Sequence, residues 1–515
     1  QVKIRKDNEN RYYYSVSRNG KTVIECSALG ITTKDADLVS GMELDAASIS
    51  ERTGTEEYDL LQGSVSKVNK KYKQRSFTLT KDSSRVTIYF RIFEDGMAYR
   101  YEVDADTTSS TEATVVTGEA SEFMLPDNGD IWTIPVSATY EGIEYTKRSM
   151  DEQYDSAQKY STPILASLKE DSGNAWVLLT ESNVYNEEKP YCGSVFQTVE
   201  GDKAMKMVFG SYLKQETDES FDGKTYAASY GDIQEVSMQN VFHTPWRTEV
   251  IASDLEGIAN SSLITDLNPS PEGDFSWVDP GASVWSWWSS SYDAIEYKTM
   301  QDYIDFAAEV GMKYCLVDYG WELWKNYKVK IEELVEYAKE RNVSILVWYG
   351  VNKFDGSHIF DLDSKEAIEE QFAWCEEVGV KGVKVDYINS ASPFAMEVMY
   401  YLADIAAKHH VVLNYHGCIN PGGENRTYPN IISSEAVAGM ENFKWNNGPS
   451  ASSMLTLPYT RNVLGSMEFT PTAYREKNSN VTSGFMLAQA VAYESALQSF
   501  AHSAYDYQGY NGLSL

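Results

Sequence analysis

The sequence predicts a large all-β sandwich over residues 1–270, a linker over 271–280 and a (β/α)8 TIM barrel over 281–515, a multidomain β plus α/β chain. Three observations carry this. The first 270 residues are short β-prone runs separated by polar turns. The segment Leu267-Asn268-Pro269-Ser270-Pro271-Glu272-Gly273 then interrupts any regular element with two prolines. Beyond it, apolar strands recur about every 30 residues with amphipathic helices between them. At 515 residues the chain also exceeds what one hydrophobic core ordinarily organises.

In the first region the clearest strands are Arg85-Val86-Thr87-Ile88-Tyr89-Phe90-Arg91-Ile92 and Ala175-Trp176-Val177-Leu178-Leu179, and Pro126-Asp127-Asn128-Gly129-Asp130 is a turn. In the second, strand one is predicted over 283–288, strand two over 314–318, strand three over 343–349 and strand four over 382–386. Strands five, six and eight follow over 411–415, 431–435 and 499–503, with strand seven somewhere in 455–469. Helices are predicted over 300–310, 329–341, 365–378, 394–408 and 482–497. The second of these carries Ile331, Leu334, Val335 and Ala338 on one stripe. Eight such units favour a closed barrel over an open doubly wound sheet.

With 44 basic against 76 acidic residues the formal charge is −32, which repels nucleic acid and anionic membrane surfaces. No apolar run is long enough to span a bilayer. The 36 tyrosines and 12 tryptophans suit a neutral sugar ligand, although most are equally suited to filling β cores. Cys26, Cys192, Cys315, Cys375 and Cys418 show no CxxC spacing and read as idle thiols. No leader segment opens the chain at Gln1, so a secreted or periplasmic location is an expectation that presumes its removal.

Barrel enzymes place their chemistry at the C-terminal ends of the strands. The polar residues there are Asp318, Asp386, His416 and Glu435, with Glu441 six residues further on. Asp386 ends a strand that is otherwise Gly-Val-Lys-Val, although an aspartate there could also cap the next helix or pair with Lys384. Glu435 and Glu441 share one loop rich in small residues. Two such carboxylates either stand apart in solvent or need a cation between them, and calcium with its many oxygen ligands fits. There is neither a G-x-S-x-G elbow nor an H-E-x-x-H helix, and His409-His410 reads as a solvated helix end. Paired carboxylates on a barrel rim leave glycosidic bond cleavage as the leading chemistry.

Trp285-Ser286-Trp287-Trp288, Gly382-Val383-Lys384-Val385-Asp386, Asn414-Tyr415-His416-Gly417, Arg426-Thr427-Tyr428-Pro429-Asn430, Ser434 to Glu441 and Phe469-Thr470-Pro471, in that order, resemble glycoside hydrolase family 97. The resemblance implies a β super-sandwich, a (β/α)8 barrel and a smaller C-terminal β domain, which a chain ending at Leu515 is expected to lack. It further implies Asp386 as nucleophile, Glu441 as general acid/base, and Glu181, Glu435 and Glu441 as calcium ligands. Asp318, Lys384, His416 and Trp287 are the expected sugar-binding residues. Inverting α-glucosidases of the family carry a glutamate where Gly417 stands and lack the strand-four aspartate, so the match is with the retaining branch. That branch includes α-galactosidases, the leading expectation for an exo-acting enzyme on a glycoside or oligosaccharide, and enzymes acting on β-L-arabinopyranosides. A non-catalytic sugar-binding relic is the rival from another class.

Overall fold

The structure, a computed structural model, describes residues 1–104, 113–137, 139–184, 190–213, 230–289, 295–351, 362, 364–444, 448–473 and 481–508. Up to Ala252 these residues form antiparallel sheets, the largest of 13 strands, flanked by sheets of three and four. Alternating apolar positions fill the space between them: Tyr14, Tyr99, Tyr101, Phe123, Ile164 and Phe196 are all buried in one cluster. Most of the described tyrosines of this region are therefore core, not sugar platforms.

The longest strands, Glu43–Asp59 and Lys67–Lys81, pair with Glu51 opposite Arg75, Glu56 opposite Lys70 and Asp59 opposite Lys67. Opposite charges facing across the ladder favour this register over a slipped one. The tip of this hairpin reaches the barrel, where Gln62 Nε2 donates to Ile431 O at 2.8 Å and the Gly63 amide donates to Glu494 Oε1 at 2.8 Å. Arg426 completes the clasp on Glu56 at 2.8 Å. Barrel strand six is thus braced by the β region at its lower end.

Glu249 is fully buried, accepts a hydrogen bond from Tyr14 Oη at 2.6 Å, and is pushed up to about 8 by burial. The folded chain therefore keeps this proton up to about pH 8, whereas an unfolded glutamate releases it near 4.3. Folded protein binds more protons across that window, so stability falls as pH rises through it. At about 1.4 kcal/mol per pH unit of separation, the loss is on the order of 5 kcal/mol. Glu249→Gln is expected to flatten this slope, with a thermal midpoint above the parent's at pH 8.5 and close to it at pH 5.

The second region is a seven-stranded parallel sheet. Strands one to six are Gly281–Trp285, Tyr314–Val317, Ser344–Gly350, Gly382–Asp386, Val412–Tyr415 and Ile431–Ser434, laid side by side in sequence order. Strand eight, Leu497–Phe500, pairs with strand one on its other side. Helices Tyr297–Val310, Tyr327–Lys339, Lys365–Val378 and Pro393–Lys408 cover the outside. Their ends follow from local chemistry. Ser364 and Ser392 cap two N-termini by accepting from Ala367 N and Ala395 N, and Gly379 closes one C-terminus in the left-handed conformation.

Strand seven differs from expectation. Residues 451–464 are short helical turns, and only Met467 bridges, in parallel, to Ser434. Pro458 sits within the first turn of one of these pieces, where its fixed φ suits a helix and not a ladder, and Gly465 breaks the chain at φ 145°. The sheet is accordingly near-closed, with one bridge where the seventh strand was predicted.

Candidate active site

Strand four aligns Trp348 opposite Lys384 and Gly350 opposite Asp386, and Lys384 in turn lies opposite Asn414 of strand five. Because side chains alternate along a strand, Lys384 and Asp386 share one face while Val383 and Val385 turn to the other. Asp318 follows strand two and is 1% exposed. It accepts from Trp285 Nε1 at 2.6 Å, from the Tyr319 amide at 2.6 Å and from Lys384 Nζ at 3.0 Å. Lys384 therefore pairs with Asp318, not with Asp386. Burial alone would lower its ammonium, but the charges of Asp318, Asp386, Glu441 and Glu435 outweigh it and hold it above the ordinary lysine range.

Asp386 accepts from the Tyr387 amide at 2.8 Å on Oδ1 and from Trp348 Nε1 at 3.1 Å on Oδ2. Helix capping, the alternative role for this aspartate, falls instead to Ser392. Gly417 stands beside it at φ 51°, and a Cβ there would lie 2.8 Å from Asn389 Oδ1, 3.0 Å from Tyr387 N and 3.2 Å from Asp386 Oδ1. Only glycine fits. Gly417→Ala adds about 1–2 kcal/mol of left-handed backbone strain and pushes on Asp386. Since small misplacements of reacting groups cost up to about 100-fold, kcat/KM is expected to fall by about 10–100-fold, with a thermal midpoint lowered by a few degrees.

His416, Glu435 and Glu441 each offer a ligand atom within 4.8 Å of the others, and all three are buried. His416 Nδ1 lies 3.2 Å from Glu435 Oε2, which also accepts from the Gly417 amide at 3.2 Å. Burial and the Lys384 charge hold His416 below the ordinary histidine value. Glu441 is pushed up to about 7 by burial, with Lys384 and His416 opposing the shift. Glu435 is held well above the carboxylate range by burial, then by Glu441 and Asp386. Its Oε1 accepts no hydrogen bond from the described residues. Arg461 holds the loop from behind, donating to Ser434 O at 2.6 Å and Glu435 O at 3.1 Å.

The β region contributes to this cluster through Glu141, a residue the sequence reading missed. Burial and the charges of Glu435 and Asp386 raise its carboxyl well above the usual range. Glu181, expected to be the reaching residue, lies elsewhere. Strand Trp176–Ser182 pairs with Trp246–Ala252 so that Glu181 faces Arg247, whose buried guanidinium binds its Oε2 at 2.8 Å while the Ser194 amide binds Oε1 at 2.6 Å. Both oxygens are engaged, and Glu181 is not in the His416, Glu435 and Glu441 group. Trp287 is half-buried, stacked on Trp285 with centroids 5.6 Å apart, with Lys444 over its ring at 4.1 Å.

An excess of buried carboxylates against one lysine and a histidine that burial holds below its ordinary value, with an orphaned oxygen on Glu435, is a donor set that accepts a hard cation. Carboxylates converging at strand ends of a parallel barrel define a glycoside hydrolase. The chain belongs to glycoside hydrolase family 97: the N-terminal domain model of the family matches residues 1–270 and its glycoside hydrolase 97 model matches 277–437. A probable retaining alpha-galactosidase of Streptomyces bingchenggensis is 30% identical over 508 residues, 96% of this chain and 72% of that protein. A retaining alpha-galactosidase of Bacteroides thetaiotaomicron is 27% identical over 501 residues, 90% of this chain and 70% of that one. Among solved structures, a beta-arabinopyranosidase superposes with TM-score 0.82 at 25% identity over 98% of this chain and 80% of that chain. A family 97 enzyme of Pseudoalteromonas sp. strain K8 bound to acarbose shares the fold, with TM-score 0.81 at 22% identity over 99% and 80% of the two chains.

Among the described residues no helix is long and apolar enough to cross a membrane. Cys192, Cys315, Cys375 and Cys418 are buried and unpaired, and Cys26 is exposed and unpaired.

Proposed function

We propose that the enzyme is an exo-acting, retaining α-galactosidase working by double displacement with calcium bound beside the acid. The observation that carries this is Asp386 at the end of strand four, held by two donors, with glycine at 417 where an inverting base would stand. Asp386 attacks the anomeric carbon as Glu441 protonates the departing glycosidic oxygen. Glu441 then takes a proton from water, which attacks the same carbon and releases the sugar with its configuration retained. Asp318 and Lys384 form a buried ion pair that suits recognition of sugar hydroxyls, with His416 and Trp287 beside it.

Glu435 and Glu441, with Glu141 and His416 adjacent, would hold the calcium ion. When bound it supplies positive charge that lowers the cost of negative charge near the leaving group. The names of the two curated relatives support the α-galactosidase reading, and the beta-arabinopyranosidase neighbour supports a second one. The two sugars share an axial C4 hydroxyl and differ in the C5 substituent. Para-nitrophenyl α-D-galactopyranoside is expected to be hydrolysed at least tenfold faster than the β-L-arabinopyranoside and α-D-glucopyranoside at equal concentration. Faster release from either of the others would replace the assignment. Action on extracellular or periplasmic glycosides completes the proposal.

A further inference from the structure

Trp348 is 3% exposed and its indole is fixed from several directions. Tyr319 meets it edge-on at 5.2 Å, Tyr387 edge-on at 6.0 Å, and its carbonyl accepts from Trp321 Nε1 at 2.9 Å. Strand register places it opposite Lys384, one pleat below Asp386, so that its N–H rises to Asp386 Oδ2 at 3.1 Å. Packing explains a buried tryptophan here but not the direction of its one polar atom.

We propose that Trp348 serves the second half of the reaction, stabilising Asp386 as the group that leaves. The inference rests on Asp386 being the nucleophile of a retaining enzyme. In the first step a carboxylate oxygen of Asp386 bonds to the anomeric carbon, the C–O bond to the aglycone breaks, and the aglycone departs with the proton of Glu441. Negative charge on Asp386 is lost, so a donor to that carboxylate gains nothing as the step proceeds. In the second step water attacks the anomeric carbon and gives a proton to Glu441. The ester C–O bond breaks and its electron pair returns to Asp386. The hydrogen bond from Trp348 strengthens as that charge reappears, which makes it an interaction realised in the transition state of deglycosylation.

Removing the N–H therefore separates the two steps. For Trp348→Phe, with para-nitrophenyl α-D-galactopyranoside, kcat is expected to fall about tenfold, the size of one hydrogen bond to a charged group. KM is expected to fall with it, leaving kcat/KM within about threefold of the parent. Acid-quenched protein should then show a hexosyl adduct by intact mass, and azide should raise turnover by intercepting it. Replacing Trp348 with 3-benzothienylalanine, which keeps the ring shape and lacks the N–H, is expected to give the same split if the phenylalanine variant folds poorly. Equal loss in kcat and kcat/KM, with unchanged KM and no adduct in either variant, would overturn the role of Trp348. Failure of the underlying reading looks different: the parent enzyme would then give no fluorosugar-trapped adduct on Asp386 at all.

Discussion

Asp386→Ala is expected to reduce kcat/KM by about 10⁴-fold or more, the scale on which enzymes lose activity when a covalent nucleophile is removed. Azide is expected to restore part of that loss with an activated substrate, giving the β-galactosyl azide. The small anion fits the space left by the carboxylate and attacks from the face that Asp386 occupied. The fold should survive, because Asp386 is only partly buried and its two donors, the Tyr387 amide and the Trp348 indole, can be met by water. A residual rate within tenfold of the parent would remove Asp386 from the mechanism.

Withdrawal of calcium is the second large effect. Glu441 and Asp386 add to burial in raising Glu435, and Glu435 and Asp386 do the same to Glu141, with one lysine and a histidine held below its ordinary value beside them. A cation relieves this and, as an electrophile, is worth several kcal/mol to a developing negative charge. Dialysis against a chelator is expected to reduce turnover by about 100-fold, calcium to restore it, and magnesium to restore it poorly because it favours a tighter octahedral shell. Glu435→Gln is expected to lower both metal content and activity. Full activity after chelation, with no metal found by elemental analysis, would remove the metal while leaving the glycosidase intact.

The barrel was readable because a β/α repeat marks its own strand ends, and a polar residue closing an apolar run such as Gly-Val-Lys-Val-Asp386 has few reasons to be there. Positions joined by short sequence distance, such as Glu435 and Glu441, showed as a pair for the same reason, and both lie buried beside His416. What depends on pairing across long distances did not. Glu181 looked free to reach a metal because nothing local reveals that Arg247, 66 residues on, stands opposite it in the sheet. Glu141 carries no signal of its own, since its approach to Glu435 arises when a loop of the β region packs on the barrel. Strand seven failed where Pro458 and Gly465 override an apolar run with backbone constraints.

The stereochemistry of the first product tests the central claim most directly. Proton NMR of a fast hydrolysis of para-nitrophenyl α-D-galactopyranoside, recorded before mutarotation, is predicted to show α-galactopyranose appearing first and the β anomer only later. The β anomer appearing first would mean direct displacement by water. It would contradict Asp386 as nucleophile whatever the other residues do.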